Sequence, residues 1–207
     1  MLMNALRLFW VSLLVTMAAC APARVVAPSL EGRDLREYLS ARNGISEIET
    51  QFSILFERND SDMRGDAALT ISKNGDMSLR VYSLGFLAME VSSKDGVTKS
   101  RPHLDKGRTD LLTRGLRDCL FWWDVGDYTI TDEGARYVVR NAEREIWLNK
   151  KTLLPERQRI WLDDDKELTV SYSDPEERNG VWYQSKIRIE LMKYSVTLRV
   201  KEMAFRA

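Results

Sequence analysis

The chain is poor in the residues that usually advertise chemistry. It has one histidine, His103, and two cysteines, Cys20 and Cys119, too few for a disulfide framework, so stability has to come from packing. Cys119 is expected to be a buried, inert thiol, the alternative being a reactive one. His103 follows Pro102, and a catalytic histidine would need an orienting acid and a nucleophile beside it. G-x-S-x-G, S-x-x-K, H-E-x-x-H and a phosphate-binding loop are all missing, so a surface histidine and no enzyme are the expectation. Asp163-Asp164-Asp165 lacks the spaced oxygen ligands and the glycine of a calcium loop and reads as a solvated hairpin turn. No metal and no cofactor are expected. Charge of one sign is also lacking, with 31 basic and 31 acidic residues, so nothing drives phosphate binding and nucleic acid is excluded as a partner.

The apolar run Leu8–Ala19, twelve residues, is well short of the about 20 that a helix needs to cross a bilayer. What is there is a short basic start around Arg7, that run, and Met17-Ala18-Ala19-Cys20: the order of a cleavable export signal. These last four residues resemble the lipobox of bacterial lipoproteins. The resemblance implies cleavage after Ala19, a diacylglycerol thioether on Cys20 and N-acylation of the new terminus. The alternative is an ordinary secretory signal with a chance cysteine. Ala21, where the enterobacterial retention signal it resembles would have Asp, points to the outer membrane, facing the periplasm. Residues 1–19 are thus read as signal peptide, 20–29 as lipidated cysteine and tether, and 30–207 as one domain, probable size for a single core and expected as a monomer.

Ser29 is placed to cap a helix from Leu30 to Ala41 that Asn43-Gly44 ends. From Ile45 the period changes to two. Phe52, Ile54 and Phe56, then Leu69 and Ile71, then Leu79 and Val81, then Leu87, Met89 and Val91 alternate with polar residues, and Asn74-Gly75 and Asp95-Gly96 are tight-hairpin signals. Leu111, Leu112, Leu116 and Leu120 have helical spacing within Lys106–Cys119, although Gly107 and Gly115 weaken it. Strands resume with Ile146 and Leu148, Ile160 and Leu162, and the clean alternations ending at Leu191 and Val200, with Asn179-Gly180 as a third hairpin signal. Met203 and Phe205 fall in the opposite phase, which marks a bulge or the strand end. The sum is a mainly β chain of about ten or eleven antiparallel strands with two helices, each strand having one apolar and one polar face.

Three segments carry a family resemblance: Leu69–Phe86 running into Met89–Gly96; Arg144–Pro155 with its T-x-L-P turn; and Leu168–Ser173 with Ser185–Leu191 and Ser195–Phe205. In pattern and spacing over residues 30–207 the chain resembles the LolA/LolB-like lipoprotein-sorting domains. The resemblance implies an incompletely closed antiparallel β-barrel with a helical lid, whose apolar interior accepts the acyl chains of other lipoproteins. It further implies that an exposed apolar residue on a loop between early strands hands cargo into the bilayer; in Tyr82–Phe86 the candidates are Leu84 and Phe86.

Each feature has a second reading. Phe52, Ile54, Phe56, Leu69, Ile71, Leu79, Val81, Ile146, Leu148, Ile160, Leu162, Ile187 and Ile189 line a lipid cavity, or the helices plug that face and it is a core. Leu84-Gly85-Phe86 is a membrane-touching tip or a bulge turned inward. Trp122-Trp123 sits at a lipid interface or packs inside. The partners expected are the membrane, through Cys20, and acyl chains or lipoproteins as cargo. The rival is a non-catalytic scaffold or interaction lipoprotein of an envelope assembly.

Overall fold

The computed structural model describes residues 26–58, 61–162 and 166–207. The signal, Cys20 and the Asp163–Asp165 turn lie outside them.

One sheet of twelve strands organises the domain, in the order β5-β4-β3-β2-β1-β12-β11-β10-β9-β8-β7-β6, with every neighbouring pair antiparallel. The strands are β1 (Glu47–Arg58), β2 (Ser61–Ser72), β3 (Met77–Ser83), β4 (Phe86–Lys94), β5 (Val97–Arg101), β6 (Thr129–Asp132), β7 (Arg136–Arg140), β8 (Arg144–Asn149), β9 (Pro155–Trp161), β10 (Glu167–Arg178), β11 (Val181–Leu191) and β12 (Tyr194–Arg206). The chain enters in the middle at β1, steps out to one edge at β5, crosses to the other edge at β6, and steps back until β12 pairs with β1. The apolar sides of strands from both halves meet in a single core cluster, so the sheet curls around it. The two edges, β5 and β6, are not paired with each other. The architecture is an incompletely closed antiparallel β-barrel. Its edges are the two shortest kinds of strand here, and β5 carries Lys99 and Arg101, features that discourage edge-to-edge pairing.

The segment that crosses the concave face is helical: α2 (Lys106–Asp110), a π-helical turn (Leu111–Gly115) and α3 (Leu116–Leu120) follow without a gap. Gly115 is required here by space. A Cβ on it would lie 3.3 Å from Ile189 Cγ2 and 3.7 Å from Leu168 Cδ1, so the glycine lets the backbone settle onto the sheet.

The first helix is shorter than its sequence suggests. α1 spans Leu35–Ser40, and its cap is Asp34, which accepts from Arg36 N at 2.6 Å and Glu37 N at 3.3 Å. Ser29 does not cap it, because Gly32, at φ +84°, breaks the helical path and the Leu30 N–H donates to Lys151 O instead. The hairpin turns Asn74-Gly75, Asp95-Gly96 and Asn179-Gly180 form where the dipeptides stand. The phase change at Met203 is a β-bulge: Gln51 pairs with Glu202 and Phe52 with Val200, leaving Lys201 as the extra residue.

Antiparallel pairing sorts the connections to two ends of the sheet. At one end are the β2–β3, β4–β5, β6–β7, β8–β9 and β10–β11 turns. The incoming chain is fixed there, Leu30 bonding to the β8–β9 turn. At the other end are the β1–β2, β3–β4, β7–β8 and β11–β12 turns and the exit from β5. These are called the tether end and the tip end below.

Candidate functional site

The concave face comes first. Phe52, Ile54, Leu69, Ile71, Leu79, Val81, Ile146, Leu148, Ile160, Ile187 and Ile189 are all buried and share one core with Leu111, Leu112 and Leu116 of the crossing segment. Over these residues the helical segment fills the interior. Phe56 and Leu162 are partly buried at the margin of the same core.

An apolar cavity of about 230 Å³ opens at that margin, at the tip end. It is lined by Phe56, Met63, Ala88, Met89, Pro102, Leu104 and Leu112, with Arg58, Asp62 and Arg108 among its walls. It falls just below the roughly 300–1,000 Å³ of pockets that bury a drug-sized ligand. It therefore holds part of an acyl chain, and the rest would have to displace the crossing segment or stay outside.

The start of that segment is pinned beside the cavity. Asp105 caps α2 by accepting from Arg108 N at 2.9 Å, takes Arg108 Nε at 3.0 Å and accepts from Tyr194 Oη at 2.9 Å. Burial pushes the Asp105 carboxyl up, but these hydrogen bonds and the Arg108 charge outweigh it and leave the group below its ordinary value.

The tip itself is the β3–β4 turn. Leu84 is 95% exposed and Phe86 77%, and Leu87 is exposed beside them. The inward alternative does not form. β3 and β4 lose register at Val81/Tyr82, and β2 passes so close behind this point that a Cβ on Gly65 would sit 2.2 Å from Tyr82 O. Leu84 holds a left-handed φ of +52°, followed by Gly85 at +82°. A hairpin turn of this kind favours Asn or Asp at the first position, and a leucine there costs about 1 kcal/mol.

The far end of the crossing segment is held by charges. Arg117 donates to Lys73 O from Nε at 3.1 Å and from Nη2 at 2.9 Å, bonds Asp118 at 2.8 Å, and pairs with Asp124. Arg144 is buried, donates to Asp124 O and lies 3.5 Å from Asp118 Oδ1; burial lowers its pKa. Arg42, also buried, lies over the rings of Tyr38, Trp122 and Trp123, with its carbon 4.7, 5.6 and 5.4 Å from their centroids, and donates to Trp182 O at 3.0 Å. It ties α1 to the turn after α3. Trp122 and Trp123 are thus core residues.

Sequence reasoning missed Arg42, Arg117 and Arg144, whose partners lie far away along the chain, so no local pattern signals them. It also missed Met63 and Leu104 of the cavity. Of the remaining candidates, His103 is exposed, and Cys119 is buried with its thiol pushed up by desolvation and its Sγ donating to Leu116 O at 3.3 Å. No helix among the described residues is long and apolar enough to cross a membrane.

A curled, unclosed antiparallel sheet with a helical segment laid across its hollow is the architecture of the LolA/LolB-like domains, and solved structures match it. A LolA superfamily protein from Nitrosomonas europaea superposes with a TM-score of 0.54 at 12% identity, covering 84% of this chain and 92% of its own. A DUF1329 family protein from Desulfovibrio piger superposes with a TM-score of 0.57 at 13% identity, covering 87% and 94%. No family model and no curated relative matches the sequence. The domain is LolA/LolB-like in fold.

Proposed function

We propose that this is an envelope lipoprotein, lipidated at Cys20 and held at the outer membrane facing the periplasm, that handles acyl chains or the lipidated ends of other proteins. It acts by binding and carries out no chemical step. The observation that carries the reading is a coincidence of place: the apolar cavity and the bare Leu84/Phe86 tip occur at the same end of the sheet. Burying a Leu or Phe side chain releases about 1.5–3 kcal/mol, so the two tip residues together favour a lipid surface by ~3–6 kcal/mol. An acyl chain adds roughly 0.8 kcal/mol for each methylene that leaves water. The tip meets the bilayer, and the Phe56–Leu112 cavity receives the first part of the chain.

Replacing Leu84 and Phe86 together with Glu tests this. The variant should fold normally and lose delivery of a lipidated cargo to vesicles; undiminished delivery would sink the assignment. A Cys20→Ser chain should leave the membrane fraction if the anchor is where we place it.

The packed interior favours a second reading, a scaffold whose barrel is an ordinary core. A purified protein that carries no lipid and takes up no fluorescent fatty acid would support that reading over the first.

A further inference from the structure

The β11–β12 turn, Met192-Lys193, has no part in the function proposed above. Met192 is 80% exposed and its φ is +53°, a conformation that favours Gly, Asn or Asp. Among the described residues, the apolar non-glycine residues with such a φ are Leu84, Leu153 and Met192. Leu153 is buried in the core, which accounts for its side chain. Leu84 and Met192 are exposed, and their turns lie at the same end of the sheet.

Met192 has a basic setting. The ring of the adjacent Tyr194 carries Arg58 at 5.6 Å and Lys193 at 5.5 Å from its centroid, and its hydroxyl is fixed on Asp105. The acids nearby each have a cation of their own: Glu57 on Arg188 at 2.8 Å, Asp62 on Arg64 at 3.2 Å and Asp105 on Arg108 at 3.0 Å. They do not cancel the pair on Tyr194. A long apolar side chain beside positioned cations suits a bilayer with anionic headgroups, the chain passing below the phosphates and the cations staying level with them.

We propose that the Met192-Lys193 turn is a second lipid contact, in which Met192 enters an anionic bilayer while Lys193 and Arg58, seated on Tyr194, hold its phosphates. The proposal rests on the reading of Leu84 and Phe86 as membrane contacts and adds a point of attachment and a headgroup preference to it.

The test places an environment-sensitive fluorophore on the full chain at Met192→Cys, Leu84→Cys or Asn179→Cys, Asn179 being a tether-end turn. Each labelled chain is reconstituted in vesicles of phosphatidylcholine alone or mixed with phosphatidylglycerol, with nitroxide lipid as quencher. Labels at 84 and 192 should shift to the blue and be quenched, and the label at 179 should not. Quenching at 192 should need phosphatidylglycerol. It should fall as salt rises from 0.1 M to 1 M and screening shortens from about 10 Å to about 3 Å. Adding Lys193→Gln should weaken the contact at 192 by about fivefold. Quenching at 84 without 192 would overturn this proposal, leave the Leu84 reading standing and point to a protein partner for Met192. Equal quenching at 192 in neutral vesicles would overturn the headgroup preference. If neither position is quenched, both readings fall.

Discussion

The two ends of the sheet use the same turn geometry with opposite chemistry. At the tether end the left-handed positions are filled by Asn179-Gly180 and Asp95-Gly96, with Gly75 and Gly134 in the other turns. At the tip end they are filled by Leu84 and Met192. Asn, Asp and Gly adopt this conformation readily and leave a polar turn in water. Leucine and methionine adopt it with strain and expose apolar surface as well. Folding alone gives no reason for the second choice, so the difference marks the tip end as the surface that meets something apolar.

The largest expected effect is on lipid contact. Leu84→Glu with Phe86→Glu should remove the ~3–6 kcal/mol that burial of the two side chains supplies, read as loss of vesicle binding, with the denaturation midpoint almost unchanged. A large fall in stability would mean that the tip is structural, and the contrast between the ends would lose its meaning.

Next is Gly65→Ala. Its Cβ would meet Tyr82 O, a backbone atom that cannot swing away, so about 1–3 kcal/mol of stability should be lost, as in other overpacked sites. Amide exchange should rise first in the β3–β4 hairpin. Wild-type stability would show that β2 does not set the tip's position.

A pair of exchanged turns gives a smaller and more diagnostic effect. Leu84→Asn should stabilise the domain by about 0.5–1 kcal/mol while weakening its lipid contact, and Asn179→Leu should destabilise it by a similar amount. Equal effects of the same sign in thermal denaturation would contradict the account of strain given above.

The smallest effect is on pH dependence. Asp105 and Glu57, both near the tip end, have lowered pKa values: Glu57 through hydrogen bonds from Ser195 and Arg188, Asp105 through Arg108 and Tyr194 against the opposing pull of burial. A lowered folded pKa gives stability that is complete above the unfolded value, about 4, and is lost as pH falls through the folded one. Exchange of the α2 amides should therefore quicken below about pH 4, and Asp105→Asn should flatten that response.

Much of the fold was legible. Alternation in β3 and in β11 and β12 named the buried faces, and three Asn-Gly or Asp-Gly pairs placed hairpins where they form. The strand count came to twelve rather than about ten or eleven, because the short edge strands β5 and β6 show little alternation. The helix start at Ser29 was misplaced for a local reason: Gly32 lies between Ser29 and the real cap, Asp34. The candidate site divided differently. Leu84 and Phe86 stood out as apolar residues around a turn glycine. Met192 stood between two clean strands and carried the same signal, an apolar residue where a turn residue belongs.

The sequence by itself determined the period of each strand, the chemistry of each turn and the export-like start, because these depend on residues a few positions apart. Only the tertiary structure decided that Gly115 lets the crossing segment fill the hollow, that Arg42 binds α1 to Trp122 and Trp123, and that the turns carrying Leu84 and Met192 share one end. Those outcomes depend on contacts between segments tens to more than a hundred residues apart. Alternation says which side of a strand is apolar, but what covers that side is set by where the rest of the chain comes to lie.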